Sequence, residues 1–453
     1  MNGTRKVKFF TFGCQMNVVD SQRMLRYLEA DGYTATAREE EAQLVVVNTC
    51  SVREKAAQKV YSLLGRLRRH KMNNPDYQLV VAGCVAQQER EELSARLPFL
   101  DVVLGPDQID RIAELLRDAR QNKKTIVEAH FRQSRDELFQ DKYGLEEGSS
   151  GDVGRFVTVM KGCNQFCAYC IVPYTRGREI SKYPRQILAE VQRAVDSGVK
   201  EITLLGQNVN RYGLDSDDLP GFVQLLKRVH EVAGLRRIRF VTSHPADCTD
   251  ELVDLFGELP KLCPYFHLPM QSGSNKMLEA MNRSYTREHY LARTQRLREI
   301  RPDIHLSTDL IVGFPGETDA DFEETLSAAR AVGWGSAFSF KYSPRPGTKA
   351  ADLPDDVPEA VKKERLFVLQ QLLYDTMQQS MKRHVGKVEK VLVEKPSAYS
   401  HKGVTGPQYS GRTGTNYVTH FAYPEAGSPV GKMVDVRIEQ ALPHTLFGKM
   451  VAE

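Results

Sequence analysis

Short, almost wholly apolar runs alternate with longer amphipathic stretches along the N-terminal part of this chain. Val7-Lys-Phe-Phe-Thr-Phe12, Leu44-Val-Val-Val47, Leu79-Val-Val-Ala82 and Val102-Val-Leu104 read as strands, with helix-like segments around 18–30, 52–69, 88–96 and 108–120. Strands that are apolar on both faces and separated by helices predict a parallel, doubly wound α/β sheet. Residues 1–131 are assigned to it.

A polar stretch from Gln133 to Gly154, containing Gly148-Ser-Ser-Gly151, interrupts the pattern and reads as a linker, placed at 132–154. Alternation then resumes, with strands expected at 156–161, 201–205, 237–241, 265–269, 304–311 and 336–342. Helices fit at 184–197, 221–233, 249–257, 275–299 in two pieces, and 318–332. Six strands with intervening helices predict a partial (β/α)6 barrel over 155–382, its chemistry at the carboxyl ends of the strands. In the tail, 383–453, the runs Val388–Glu394, Ser410–Val418 and Gly431–Ile438 predict short strands of a small β-barrel.

Composition narrows the setting. A chain of 453 residues can bury several cores. Its eight cysteines are too few for a disulfide scaffold, and their grouping points to metal. No apolar run approaches the ~18 residues of a membrane span. Met1-Asn-Gly-Thr-Arg-Lys6 leads straight into a strand without a signal-peptide core, so a reducing cytoplasm is expected. The net charge of +4 is concentrated in the tail, where residues 382–453 carry ten Lys/Arg against six Asp/Glu. A modestly basic module suits phosphate contact, although a solvated surface has the same composition.

The cysteines carry the chemistry. Cys163-Asn-Gln-Phe-Cys167-Ala-Tyr-Cys170 follows the first barrel strand and offers three thiolates from one loop. A [4Fe–4S] cluster normally takes four cysteines, so three leave one iron open for a substrate. Half of a zinc site would want a fourth Cys or His at similar spacing, and none lies nearby. Cys14, Cys50 and Cys84 each stand just past a predicted strand of the first domain. Since such sheets bind ligands beyond the carboxyl ends of their strands, these three converge into a second three-thiolate site. Cys248 and Cys263 have no partner at ligand spacing and read as structural. Gly313 and Gly316 match neither a Walker A loop nor a dinucleotide fingerprint, which excludes nucleoside triphosphate hydrolysis.

The cysteine loop is similar to the radical S-adenosylmethionine signature, with Tyr169 as the aromatic beside the bound cofactor. More specifically, Gly13-Cys-Gln-Met-Asn17 with Asp20-Ser21, Asn48-Thr-Cys-Ser-Val-Arg-Glu-Lys-Ala56, Gly162–Gly177 and Lys341-Tyr-Ser-Pro-Arg-Pro-Gly-Thr348 resemble the methylthiotransferases. The resemblance runs from residue 6 to about 447 and is nearest the MiaB type, which acts on isopentenyl-adenosine in tRNA. Gln15-Met16 and Ser51–Lys55 favour that branch over those acting on a ribosomal-protein aspartate or on threonylcarbamoyl-adenosine. The tail resembles a TRAM module, with Arg412, Thr413 and Asn416 matching its RNA-binding motif. Tyr409 and Tyr417 are either stacking faces for bases or barrel core.

This resemblance implies two [4Fe–4S] clusters, one on Cys163, Cys167 and Cys170 that binds S-adenosylmethionine and yields a 5′-deoxyadenosyl radical. The other, on Cys14, Cys50 and Cys84, would carry the sulfur that a second S-adenosylmethionine methylates. Candidate S-adenosylmethionine contacts at the strand ends are Tyr169, Gly206, Gln207, Ser243, Gln271 and Asp309. The implied reaction inserts a methylthio group at C2 of N6-isopentenyl-adenosine next to the anticodon. Implied partners are that tRNA and an electron donor such as flavodoxin or ferredoxin, with the chain acting as a cytoplasmic monomer. Arg176 and Arg178 are candidates for the cofactor carboxylate, a tRNA phosphate or an ordinary surface. His244 and His267 read as packed imidazoles. A non-catalytic iron–sulfur RNA-binding protein is the reading from a different class.

Overall fold

The computed structural model describes residues 5–51, 54–74, 76–140, 152–398 and 406–451, with the backbone alone for 54–58. By internal contacts the chain divides into two units. One comprises Met1–Glu146, Met160–Phe166 and Cys170–Lys182, and the other Glu147–Val159, Cys167–Tyr169 and Tyr183–Glu453.

The first unit is built on six parallel strands: β1 (Arg5–Thr11), β2 (Tyr33–Ala35), β3 (Leu44–Thr49), β4 (Gln78–Gly83), β5 (Val102–Leu104) and β6 (Ile126–Glu128). Their order is β2-β1-β3-β4-β5-β6, so the winding reverses between β1 and β3. The main helices are α1 (Gln15–Ala30), α2 (Glu54–Asn73), α3 (Cys84–Arg96) and α4 (Ile112–Asn122). Side chains alternate across a strand. Leu44 and Val46 therefore join one core with Met24, Leu28 and Leu115, while Val45 and Val47 join the other with Leu64, Leu67 and Leu93. Strands β2 and β6 have only three residues each and sit at the edges, too short to show a period in sequence.

A four-residue helix, α5 (Arg135–Leu138), occupies the described start of the expected linker, while Gly148–Gly151 lies outside the described residues. The expected strand 156–161 divides at Val159. Its first part, β7 (Gly154–Thr158), belongs to the second unit, and β8 (Met160–Lys161) belongs to the first. There β8 pairs antiparallel with β9 (Ile180–Ser181). Between them in the chain lies one helical turn, α6 (Val172–Arg176). The Lys161 ammonium and Asp107 carboxylate form a buried ion pair within this unit.

In the second unit, β7, β10 (Glu201–Leu205), β11 (Arg237–Phe240), β12 (Tyr265–His267), β13 (His305–Val312) and β14 (Ser336–Lys341) form two parallel three-stranded sheets, β11-β10-β7 and β12-β13-β14. Ile238 of β11 bridges Leu262 just before β12, which joins the sheets into a six-stranded partial barrel in chain order. The surrounding helices are α7 (Pro184–Asp196), α8 (Phe222–His230), α9 (Asp250–Glu258), α10 (Asn275–Ala280), α11 (Arg287–Ile300) and α12 (Asp319–Val332).

The 24-residue helix α13 (Glu359–Lys382) has no counterpart among the elements the sequence predicts. Its buried stripe includes Lys362 and Arg365 as well as Leu369, Leu373 and Met381, while Phe367 and Tyr374 are exposed, so no clean apolar period marks it. A closed barrel follows, β15 (Val388–Pro396), β16 (Gln408–Thr413), β17 (Val418–Ala422), β18 (Met433–Ala441) and β19 (Leu446–Met450), ordered β15-β16-β17-β19-β18. The run Ser410–Val418, expected as one strand, turns at Gly414–Tyr417 because Asn416 adopts a left-handed conformation, φ +73°.

Candidate functional site

The doubly wound sheet places Cys14, Cys50 and Cys84 at the carboxyl ends of β1, β3 and β4, three adjacent strands about 4.8 Å apart. Cys14 caps α1, Cys50 directly follows β3, and Cys84 opens α3. Glycine precedes two of them where nothing larger fits. Gly13 has φ +118°, and a Cβ there would stand 2.6 Å from Cys50 Cβ. At Gly83, φ +91°, it would stand 2.4 Å from Asn48 Oδ1. Only a residue without a Cβ lets the three strand ends crowd together.

Beneath them lies a buried polar network. Asn17 Nδ2 donates to the Thr49 carbonyl at 2.7 Å and to Asn48 Oδ1 at 3.2 Å. Asn48 Nδ2 donates in turn to the Asn17 carbonyl at 2.8 Å and Ser21 Oγ at 2.9 Å. Cys14 Sγ is 3.4 Å from Asn17 Oδ1. Arg176 enters the same network, its Nη1 2.7 Å from Asp20 Oδ2 and its Nη2 donating to Asn17 Oδ1 at 3.2 Å. It is not a surface residue, being only 4 % exposed. Burial works against its charge, but Asp20 and the thiols of Cys84 and Cys14 outweigh that and hold its pKa well above the ordinary value.

In the Cys163–Cys170 loop, the Cys163 amide donates to the Gly177 carbonyl at 3.1 Å and the Gln165 amide points at Cys163 Sγ, 3.5 Å away. The Ala168 amide donates to the Met281 carbonyl at 2.9 Å, and its own carbonyl accepts from Ala350 at 2.8 Å. Arg283, a residue the sequence did not single out, donates from Nη1 to Cys167 Sγ at 3.3 Å and from Nη2 to the Pro269 carbonyl at 2.9 Å. Burial opposes the Arg283 charge, yet Tyr285, Tyr169 and Cys167 together keep its pKa well above the usual value.

Among the described residues no three His, Cys, Asp or Glu side chains close to the spacing of a single-ion site. A four-iron cluster makes a different demand, since each thiolate binds its own iron. The donor chemistry suits such clusters at both places: three thiols at each, with a backbone and a guanidinium N–H aimed at sulfurs of the Cys163–Cys170 loop, and a buried arginine whose charge offsets thiolate charge at each.

Of the expected cofactor contacts, Gly206, Gln207, Ser243 and Gln271 lie just past the carboxyl ends of barrel strands, and Asp309 lies within β13. Tyr169 packs with Ile311 of β13 in the cluster around Met281 and Phe314. Gly206 and Gln207 follow β10. Ser243, 4 % exposed, follows β11, and its Oγ has no hydrogen-bond partner among the described residues. His244 Nε2 has none among them either, and burial first, then Arg283 and Arg211, pushes its pKa down to about 2, so the ring is neutral. Gln271, φ +71°, donates its amide to the Asp309 carbonyl at 2.8 Å. The Asp309 carboxylate stands 3.5 Å from His267 Nε2. Buried polar atoms left without a partner among the described residues suit a polar ligand.

Cys248 and Cys263 are deeply buried, and burial pushes Cys248 up to about 12 and raises Cys263. Those thiols stay protonated and pack as small apolar groups.

In the small barrel the three motif residues have structural tasks. Thr413 is fully buried, with Oγ1 2.8 Å from Thr415 Oγ1 and accepting from the Tyr417 amide at 3.0 Å. The main-chain carbonyls of Arg412, Thr413 and Gly414 receive Arg237 Nη1 (2.6 Å), Arg239 Nη2 (2.7 Å) and Arg239 Nη1 (2.8 Å) from β11. Arg412 Nε is 3.1 Å from Glu394, with its side chain 38 % exposed, and Asn416 makes the turn. Tyr417 is core, edge-on to His305 and His384, and Tyr409 packs against Tyr423.

Three family models match in turn: the uncharacterized protein family UPF0004 over residues 6–105, the radical SAM superfamily over 157–329 and the TRAM domain over 382–451. Among solved structures, the radical S-adenosylmethionine methyltransferase TsrM from Kitasatospora setae shares the fold, with TM-score 0.55, 15% identity and 77% of each chain covered. The cobalamin-dependent radical enzyme OxsB aligns with TM-score 0.51 and 11% identity, covering 82% of this chain and 57% of its own. An α/β domain, a radical SAM partial barrel and a TRAM barrel thus define a three-part radical SAM enzyme. Full-length relatives sharpen this. Proteins named tRNA-2-methylthio-N(6)-dimethylallyladenosine synthase are 44% identical in Syntrophotalea carbinolica (97% of this chain, 98% of that one) and 46% identical in Geobacter metallireducens (99% of each). The chain belongs to the tRNA-2-methylthio-N(6)-dimethylallyladenosine synthase family.

Proposed function

We propose that this chain inserts a methylthio group at C2 of N6-isopentenyl-adenosine beside the anticodon of tRNA, using two S-adenosylmethionine molecules per product. The observation that supports this most directly is the second thiol site. Cys14, Cys50 and Cys84 stand on three neighbouring strand ends, in a chain that also carries the Cys163, Cys167 and Cys170 loop. Cys163, Cys167 and Cys170 would hold one [4Fe–4S] cluster and Cys14, Cys50 and Cys84 the other. When bound, these clusters and S-adenosylmethionine supply the radical and sulfur chemistry, which the side chains cannot perform.

The chain's own part is placement. Tyr169, Gly206, Gln207, Ser243, Gln271 and Asp309 would contact S-adenosylmethionine, the Ser243 hydroxyl having no hydrogen-bond partner among the described residues. Arg283 would orient Cys167. The small barrel would bind tRNA through exposed cations, Lys390, Lys432, Arg437 and Lys449 with Arg412, rather than through Thr413. A flavodoxin or ferredoxin would supply electrons to a monomer. Among the described residues no helix is long and apolar enough to cross a membrane, and a tRNA substrate suits a cytoplasmic setting. Mass spectrometry of tRNA nucleosides tests the function. A host lacking its own such enzyme should gain 2-methylthio-isopentenyl-adenosine when given this chain, and accumulation of unmodified isopentenyl-adenosine would refute it.

A further inference from the structure

Arg176 is six residues past Cys170, yet its guanidinium lies in the network under Cys14, Cys50 and Cys84. The helical turn α6 carries it there, and α6 packs against α3, the helix that Cys84 opens. The guanidinium meets Asp20, 2.7 Å away, and Asn17, 3.2 Å away. Both follow Cys14 on the first turns of α1. All are buried, at 4 % for Arg176, 6 % for Asp20 and 0 % for Asn17.

A buried ion pair is weak evidence for stability, because desolvating two charges costs about as much as their attraction returns. An apolar pair would hold α1 to α6 as well. What an apolar pair cannot supply is a fixed positive charge beside thiols that must all be thiolates to bind metal. Asn17 adds directionality. Its Nδ2 is committed to Thr49 and Asn48, leaving Oδ1 to accept from Arg176, so the guanidinium cannot swing away without breaking a buried network.

We propose that Arg176, clamped by Asp20 and Asn17, is a positioning residue of the Cys14/Cys50/Cys84 site that supplies its fixed positive charge and thereby raises the reduction potential of the cluster bound there. The direction follows from charge. Reduction adds an electron to the cluster, a nearby cation stabilises that state, and the net charge around a cluster is one of the principal determinants of its potential. Asp20 opposes Arg176, so the two residues form a balance whose arms can be removed separately. This inference rests on the reading of that site as an iron–sulfur site.

The test uses the full chain with Cys163, Cys167 and Cys170 all replaced by Ala, so that one cluster remains, reconstituted anaerobically and titrated reductively by electron paramagnetic resonance. Arg176→Met should shift the reduced-to-oxidised ratio at a given potential about tenfold toward oxidised, equivalent to about 59 mV for a one-electron couple. Asp20→Asn, which leaves the guanidinium uncompensated, should shift it toward reduced. Opposite shifts carry the proposal, since loss of fold would not move the two variants in opposite directions. Equal potentials in both variants and parent, or shifts of the same sign, would overturn it. If Arg176→Met fails to retain iron, Asp20→Asn alone decides, and an unchanged potential there rejects the proposal. A parent that binds no cluster would instead remove the reading of the site itself.

Discussion

Cys163, Cys167 and Cys170 stand within eight residues of one another, whereas Cys14 and Cys84 are seventy apart and approach only because β1, β3 and β4 are neighbours. The first set depends on a turn, the second on a folded sheet. Yet each has a buried arginine from outside its own motif. Arg283 reaches Cys167 from 116 residues away in the chain, and Arg176 reaches the network around Asn17 from 159. A metal site is thus local or assembled in its ligands, but in both cases its charge environment is a property of the tertiary structure.

The sharpest way to break this comparison is to remove one ligand from each set. Cys167→Ala should abolish both S-adenosylmethionine cleavage and methylthiolated product. Cys50→Ala should still release methionine and 5′-deoxyadenosine while forming no product, as read by liquid chromatography of a single reaction. Product from Cys50→Ala at the wild-type level would end the division of labour between the sites.

Iron content gives the next largest effect. Reconstituted wild type should hold about eight iron per chain and the Cys163/Cys167/Cys170→Ala triple variant about half. Tightly bound zinc with a single cluster would contradict it.

Arg283→Met sharpens the local half of the comparison. Losing the N–H···S bond from a partner of a ligand typically costs roughly 10–100-fold in metal affinity or activity. S-adenosylmethionine cleavage should fall by that much, and an unaltered rate would reduce Arg283 to packing.

Two smaller effects concern the barrel. Arg239→Met withdraws the buried guanidinium from the carbonyls of Thr413 and Gly414 and from the Glu201 carboxylate, 3.0 Å from Nε. Breaking a buried pair this way costs about 3–5 kcal/mol, which chemical denaturation would register. Replacing Lys390, Lys432, Arg437 and Lys449 with Gln should weaken tRNA binding by equal factors across tRNA sequences. Each phosphate that is no longer neutralised should flatten the log–log salt dependence by roughly 0.7–0.9. A salt slope that does not change would place the RNA elsewhere.

Much of the fold was legible because long periodic segments announce themselves. The six barrel strands fall within a residue or two of expectation except at 156–161, and the four apolar runs of the first domain are β1, β3, β4 and β5. The failures at β2, β6 and α13 share one cause, the absence of a period. Strands β2 and β6 have three residues each, and α13 buries Lys362 and Arg365 through ion pairs with Asp355 and Glu317. Asn416 ends β16 by adopting a left-handed φ that the flanking β-prone residues concealed.

The sequence by itself determined the cysteine loop, the strand-end positions of Cys14, Cys50 and Cys84, and the three-part order of the chain. These are encoded in spacing and in apolar runs, which act over a few residues. Only the tertiary structure decided that Arg176 serves Asp20 and Asn17 rather than solvent, that Arg283 reaches Cys167, and that Thr413 is buried with its carbonyl on Arg239. A guanidinium looks the same in sequence whether it meets water or a carboxylate. Its role is set by desolvation and by which chain segment, more than a hundred residues away, presents the acceptor.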